Sequence, residues 1–205
     1  MKHLFLPAFV LLAAPLPAAI VYSGVQNIAI PTNFEGVYID LDNRTVSQSP
    51  FIGWDINLFF GGVGIAGSTA FQPARAGTAN NDTLTRFSVN DLVNGTLPYA
   101  TGENGSSDHL NAPNNFQSGV EGYIGFKFTK NDTTGPYFGW TRVTLTANTP
   151  GAVVSDWAWE DTADAILAGA VPEPSHAMLI ILGVAGLSFR RRRHVNMATD
   201  APLPA

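Results

Sequence analysis

Three segments in the second half of the chain alternate apolar and polar residues and are separated by short turns. They cover residues 122–128, 137–146 and 153–159, and the intervening stretches are rich in Asn, Asp, Gly, Thr and Pro. A period of two residues is typical of a β-strand with one buried face. No sustained helical period competes with it between residues 20 and 171. This spacing predicts an antiparallel meander in which each strand pairs with the next.

Two earlier segments extend the same pattern. Residues 37–41 precede an Asp-Asn turn. Residues 54–60 place their tryptophan with the other alternate apolar residues on one predicted face, and Asp55 and Asn57 on the other. Residues 72–118, rich in Gly, Asn, Thr and Ser, are either long loops or short strands joined by loops. The body, residues 20–170, is therefore predicted to be all-β, an antiparallel β-sandwich whose two sheets bury their apolar faces against each other.

The composition of the chain excludes several classes of function. It has no cysteine, which rules out disulfides, thiolate metal sites and a thiol nucleophile. Between residues 20 and 171 there are six basic and fourteen acidic residues, a balance of −8. Because so acidic a surface repels phosphate backbones, no nucleic-acid partner is expected.

The amino-terminal residues 1–19 have the features of a secretory signal peptide. Lys2 provides the basic start, an apolar core of moderate length follows, and Pro-Ala-Ala at residues 17–19 provides a small-residue exit. We therefore expect the body to be exported.

The carboxyl-terminal part combines three physically different blocks. Pro172 and Pro174 hold the chain extended and prevent a helix from beginning there. Residues 177–189 carry no charge. These thirteen residues predict a short transmembrane helix that covers about 20 Å of a hydrocarbon core about 30 Å thick. A basic cluster follows, which marks the cytoplasmic side: Arg190, Arg191, Arg192 and Arg193.

The order of these blocks resembles a known sorting signal. Val171, Pro172, Glu173 and Pro174, followed by the apolar run and the arginines, look like the signal of PEP-CTERM proteins. These are exported bacterial proteins processed by a membrane-embedded exosortase. The resemblance implies that residues 171–194 form a sorting and anchoring segment, with residues 195–205 as a polar tail beyond it.

A second resemblance concerns the end of the body. Gly-Tyr-Ile-Gly-Phe at residues 122–126, Tyr-Phe-Gly-Trp at 137–140 and the tryptophan-containing stretch at 156–159 are similar to the final strands of many PEP-CTERM ectodomains. This similarity implies a lectin-like jelly-roll sandwich rather than any particular activity.

Catalytic residues are not evident in the sequence. His109 is the only histidine between residues 20 and 171, and no Gly-x-Ser-x-Gly elbow accompanies it. A histidine zinc site would need further histidines. We therefore predict that the protein is not an enzyme.

Two further groups of residues deserve a functional interpretation. Glu160, Asp161 and Asp164 follow Trp157 and Trp159, and paired acids beside aromatic rings are how glycosidases hold and cleave sugars. The alternative, which we favour, is that both tryptophans pack the sheet while the acids are solvated.

The second group is the turn that follows the strand predicted at residues 37–41. Asp40, Asp42 and Asn43 offer oxygen ligands suited to calcium, but the segment lacks the glycine and the closing glutamate of a calcium loop. A strand-end turn is the favoured interpretation, and neither a metal nor another cofactor is predicted.

Together these features predict a non-catalytic cell-surface or extracellular-matrix protein associated with exopolysaccharide. Its expected partners are an exosortase-type membrane protease, the inner membrane during sorting, and extracellular polysaccharide. Two alternatives remain: a carbohydrate-binding module that uses exposed tryptophans, Trp157 and Trp159, with or without calcium, and a surface glycosidase.

Overall fold

The computed structural model describes residues 19–102 and 115–172. Within these ranges the chain is all-β, with antiparallel strands and one 3₁₀ turn at Phe60–Gly62. In chain order the strands are β1 (Ile20–Tyr22), β2 (Ile28–Ala29), β3 (Val37–Asp40), β4 (Thr45–Ser47), β5 (Ile56–Phe59), β6 (Gly64–Gly67), β7 (Phe71–Pro73), β8 (Arg86–Phe87), β9 (Leu92–Val93), β10 (Glu121–Phe128), β11 (Tyr137–Thr144), β12 (Val153–Glu160) and β13 (Ile166–Leu167).

The predicted meander is confirmed and forms the centre of the larger sheet. Strands β10, β11 and β12 pair in sequence, each over most of its eight residues, with one irregularity between Arg142 and Val143. The sheet order is β1-β12-β11-β10-β7, with β2 on β12 and β8 on β10. The described parts of residues 72–118 are short strands joined by loops, because their apolar patches are only two or three residues long.

The smaller sheet has the order β4-β3-β5-β6. Its apolar residues at Val37, Ile39, Ile56, Leu58 and Ile65 are all buried. They share one hydrophobic cluster with the inward residues of the larger sheet, among them Phe126, Phe128, Val154 and Trp157. The two antiparallel sheets thus bury their alternating faces together, which is consistent with the predicted β-sandwich.

A second hydrophobic cluster lies on the opposite face of the larger sheet. Phe138, Trp140 and Ala158 pack there with Val93 of β9 and Ile166 of β13. The β9–β13 pair is a two-stranded ribbon of its own. The Trp140 Nε1–H donates a hydrogen bond to the Ala170 carbonyl at 3.2 Å. The end of the body is therefore held against the sheet until residue 170.

One predicted face assignment is wrong. The alternation over residues 54–60 placed Trp54 with Ile56 and Leu58, but β5 begins only at Ile56. Residues before it turn, with Gly53 at φ +93°, a conformation that glycine adopts without strain. Trp54 consequently lies on the outer side of the small sheet, beside Tyr38.

The chain divides into two units, one that ends at Val171 and one that begins at Pro172. In the two described ranges no helix has the length and apolar character needed to cross a bilayer. The predicted anchor helix at residues 177–189 and residues 1–18 of the predicted signal peptide lie outside those ranges. Both therefore stay predictions.

Candidate functional site: the outer face of the small sheet

The outer face of the small sheet carries an open cleft. The strand register places Tyr38, Asn57 and Ala66 side by side on β3, β5 and β6. Their neighbours in sequence point into the core, so these three point away from it. The cleft has a volume of about 240 Å³, and we call it the outer cleft; its lining residues are Phe34, Tyr38, Trp54, Asn57, Phe59 and Ala66.

Aromatic rings form most of this lining. Tyr38 and Trp54 meet edge to face with their ring centroids 5.2 Å apart. Phe34, which is 66% exposed, lies 5.6 Å from Phe59. The Phe59 ring occupies the space that a side chain at Gly64 would need, since a Cβ there would lie 1.9 Å from the ring. The absence of a side chain at Gly64 thus lets Phe59 lie flat along the sheet.

Polar atoms are interspersed with these rings. The Asn57 Nδ2 donates to the Glu35 carbonyl at 2.9 Å. The Asn57 Oδ1, the Tyr38 hydroxyl and the Trp54 Nε1 make no hydrogen bond with any residue that the structure describes. Burial, and secondarily the charge of Glu35, raises the pKa of the Tyr38 hydroxyl. The cleft therefore combines aromatic surface with one amide acceptor and two donors that have no protein partner within the described ranges.

A cluster of carboxylates lies at the end of the same sheet. Asp40, Asp42 and Asp55 bring carboxylate oxygens within 4.8 Å of one another, and Asp40 and Asp55 are each only 3% exposed. The Leu41 N–H donates to Asp55 Oδ2 at 2.7 Å. The Asn131 Nδ2 donates to Asp40 Oδ2 at 2.9 Å and to Asp42 Oδ1 at 3.1 Å. We call these three acids the acidic turn.

Burial is the largest influence on the pKa values of the acidic turn, because no basic side chain of the described residues pairs with its carboxylates. Within residues 19–102 and 115–172, none of its three carboxylates forms an ion pair. Burial raises the pKa of Asp55 to about 7 and, together with the hydrogen bond to Asp40, raises the pKa of Asp42 to about 6. Burial also acts to raise the pKa of Asp40, but hydrogen bonds from Asp42, Asn43 and Asn131 together hold it below its usual value.

Residues 40–43 span the end of β3 and the turn that follows it, as the favoured interpretation expected, and this geometry does not decide between a plain turn and a calcium site. The Asn43 N–H donates to Asp40 Oδ1 at 2.8 Å, and residues 41–44 form the turn between β3 and β4. Carboxylate oxygens at this spacing are also the ligands that calcium prefers. The sequence did not indicate Asp55 and Asn131 as members of the group, because they come from other strand ends. Gly53 leaves room for Asn131, whose side chain would lie 3.0 Å from a Cβ there.

Trp157 and Trp159 lie in the core between the sheets. They are 1% and 5% exposed. The Trp157 Nε1–H donates to the Leu41 carbonyl at 3.0 Å, which links the two sheets. Trp159 packs against Phe128 and Tyr137, with ring centroids 5.5 and 5.2 Å away. Neither indole presents a free face to a ligand. Both tryptophans pack in the core, as the favoured interpretation expected.

Glu160 ends β12, and the acids that follow it belong to a turn and the loop beyond. Glu160 is 2% exposed, which differs from the expected solvated side chain. Its carboxylate accepts hydrogen bonds from the Thr162 N–H at 3.0 Å and the Asp164 N–H at 2.7 Å. Asp161 and Asp164 are exposed. Because Glu160 is occupied by these backbone donors, it stabilises the loop that leads to β13.

The residues of the predicted sorting signal are only partly described. Val171 and Pro172 are both exposed at the end of the described chain. Glu173, Pro174 and the four arginines Arg190, Arg191, Arg192 and Arg193 lie outside the described residues, as does His109.

No family model matches this chain, and no curated protein or solved structure matches it either. Its function is therefore inferred from its own residues.

Proposed function

We propose that this chain is an exported, non-catalytic protein of the cell surface or extracellular matrix that is sorted through its carboxyl-terminal segment. The observation that carries the proposal is the order Pro172-Glu173-Pro174, an uncharged run at residues 177–189, and four arginines at residues 190–193. An exosortase-type membrane protease is the processing partner, and the inner membrane holds the chain only until cleavage. The mature body then associates with extracellular polysaccharide.

The limits of the folded body support this proposal. The first strand, β1, begins at Ile20, one residue after the predicted signal peptide, and pairs with β12. At the other end, Trp140 holds the Ala170 carbonyl, the last group within the described residues that is hydrogen-bonded to the sheet. Residues 171 and 172 are exposed. Within the described residues, Val171 and Pro172 are therefore accessible to a protease without unfolding of the body.

The chemistry of the recognition segment fits a processing site. Pro172 and Pro174 lack backbone donors and favour an extended chain, the form in which proteases bind peptides. Glu173 supplies one negative charge for a basic pocket. Because the apolar run is shorter than a bilayer core, it presents the site at a defined depth without making a comfortable permanent span. The arginines resist outward slippage.

The non-catalytic part of the proposal is supported by the acids near the end of the body. Glu160, a candidate for sugar cleavage, accepts backbone hydrogen bonds from its own loop. The finer description of the body as a lectin-like jelly-roll also belongs to this proposal, and two antiparallel sheets that share one core support it.

Replacing one charge tests the proposal. Glu173→Ala, with both prolines kept, is expected to abolish cleavage and leave the chain with the membrane fraction. Glu35→Ala, which removes an exposed glutamate from the body, is the matched control and should be processed normally. Anti-tag immunoblots of membrane and medium fractions measure both. Normal release of the Glu173→Ala protein would mean that the segment is an ordinary stalk.

A further inference from the structure

The outer cleft has the chemical composition of a surface for sugars. A pyranose ring has apolar C–H faces and a rim of hydroxyl groups, so it pairs with aromatic faces that are flanked by polar atoms. Trp54 and Tyr38 are half-buried and provide such faces. Asn57 Oδ1, the Tyr38 hydroxyl and Trp54 Nε1 supply an acceptor and two donors without partners among the described residues.

An apolar protein segment would fit the same cleft poorly. Asn57 is 4% exposed, so an apolar partner would shield its Oδ1 acceptor from solvent and offer it no hydrogen bond in return. The Tyr38 and Trp54 donors would be covered in the same way. Buried polar groups without hydrogen bonds oppose binding, whereas saccharide hydroxyls can satisfy all three.

The charge around the outer cleft selects among saccharides. None of its lining residues is basic. The exposed Glu35 is close enough to Tyr38 to raise the pKa of the Tyr38 hydroxyl, so it contributes negative charge near the cleft. Uronic acids and sulfated sugars would meet this negative field without a cationic partner. A neutral sugar avoids that repulsion.

A second cleft offers room for a longer chain. It has a volume of about 400 Å³ and shares the Trp54 side chain with the outer cleft. Ser68, Thr69 and Asn131 add hydroxyl and amide groups to its lining. A ligand of several sugar residues could therefore contact both clefts through one tryptophan.

From these observations we propose that the outer cleft binds a neutral oligosaccharide, with Trp54 and Tyr38 stacking on sugar rings and Asn57 accepting a hydroxyl hydrogen bond. This inference rests on the proposed association with extracellular polysaccharide and deepens it, because it names the site and the class of sugar. It also differs from the alternative based on Trp157 and Trp159, because both of those indoles are buried.

The four tryptophans of the chain allow a direct binding assay. Trp140, Trp157 and Trp159 are 5% exposed or less, so acrylamide should quench mainly Trp54. The assay titrates the purified full-length protein with cellohexaose, laminarihexaose or mannohexaose, and separately with hexagalacturonate. We expect at least one neutral hexasaccharide to protect Trp54 saturably and the acidic one to have no effect. No protection by any neutral probe up to about 10 mM, or equal protection by hexagalacturonate, would overturn the proposal.

Substitutions that leave the core intact locate the site. Tyr38→Phe removes only a hydroxyl, and Phe34→Ala removes an exposed ring. Each is expected to weaken binding by about tenfold, the equivalent of losing one good contact. Val25→Ala is the matched control, since Val25 has the same 66% exposure as Phe34 but lies outside the cleft. Equal affinity in all three variants would place the sugar elsewhere and overturn the assignment.

A second copy of the chain is the competing occupant. If Trp54 becomes protected as protein concentration rises without sugar, and sedimentation shows a dimer, the cleft is a self-association surface and the saccharide proposal is wrong. The quenching, variant and sedimentation measurements all use purified protein. Their outcome therefore does not depend on whether Glu173 directs processing.

Discussion

Each sheet buries aspartates on its outer side, but within the described residues only the larger sheet pairs its aspartate with a basic residue. On the larger sheet, Asp156 is 1% exposed and accepts hydrogen bonds from Arg142 and from the Tyr22 hydroxyl, the latter at 2.7 Å. On the smaller sheet, Asp40 and Asp55 are equally buried but have amide donors and no cation among the described residues. The larger sheet pairs its buried carboxylate with an arginine, whereas in the smaller sheet burial shifts the carboxyls of Asp42 and Asp55 towards their neutral form.

The aromatic residues of the two sheets also differ in their surroundings. On the larger sheet, Phe126 lies over Gly139 inside the core, where a Cβ at Gly139 would come within 2.3 Å of the ring. On the smaller sheet, Phe59 lies over Gly64 in a cleft open to solvent. The same packing of a ring over a glycine therefore fills the core in one sheet and lines an open cleft in the other. We therefore expect Phe126 to contribute more to stability than the rings that line the outer cleft.

The largest effect is expected when one aromatic ring is removed from the core and, in a second variant, one from the outer cleft. Phe126→Ala should lower the free energy of unfolding by about 3–5 kcal/mol, because a fully buried ring leaves a cavity. Phe34→Ala, on the outer cleft, should change it by less than about 0.5 kcal/mol. Urea unfolding followed by tryptophan fluorescence measures both. Similar losses for the two variants would show that the cleft is part of the stabilising core.

The next effect concerns Asp55 and pH. Because burial raises its pKa to about 7, the folded protein holds this proton more tightly than the unfolded chain. The protonated carboxyl thus favours folding below about pH 4, and this contribution is lost as pH rises through about 7. Asp55→Asn keeps an acceptor for the Leu41 N–H and removes the charge. We expect the variant to gain about 2–3 kcal/mol over the natural chain between pH 4 and pH 8.

Asp42 titrates in the same direction and Asp40 in the opposite one, so the comparison uses the difference between variant and natural chain at each pH. Unfolding curves in urea at pH 4, 6 and 8 provide it. A constant difference over this range would mean that Asp55 is ionised in the folded state throughout, contrary to the picture of an uncompensated buried acid.

The smallest effect tests the compensated carboxylate. Asp156→Asn should cost about 2 kcal/mol at pH 7, because it weakens hydrogen bonds to the charged Arg142. Glu121→Gln is the control: this half-exposed partner lies 3.9 Å from the same arginine, and its loss should cost less than about 0.5 kcal/mol. If Asp156→Asn stabilised the protein, the two sheets would not differ in charge compensation.

The sequence predicted the larger sheet well because its signal is local. Strict alternation at Ile124, Phe126 and Phe128, followed by short turns, determines both strand pairing and the buried face. The same alternation indicated that Trp157 and Trp159 share a face. It could not indicate that the opposite sheet covers that face, since a strand's own residues do not report what packs on it.

The outer cleft and the acidic turn were harder to predict. Trp54 was assigned to the inner face because the turn at Gly53 delays the start of β5 until Ile56. Asp55 and Asn131 join Asp40 only through tertiary packing, across 15 and 91 positions of sequence. Sites that assemble from several strand ends carry no local pattern, so their geometry appears only in the folded chain.

The carboxyl terminus of the released protein tests the central claim, that a folded body is exported and then separated from its sorting segment. Intact-mass and carboxyl-terminal peptide mass spectrometry of the protein recovered from outside the cell would measure it. We predict a terminus at or close to residues 172–174, with residues 177–205 missing. A released protein that still ends at Ala205, with the arginine cluster intact, would contradict the account.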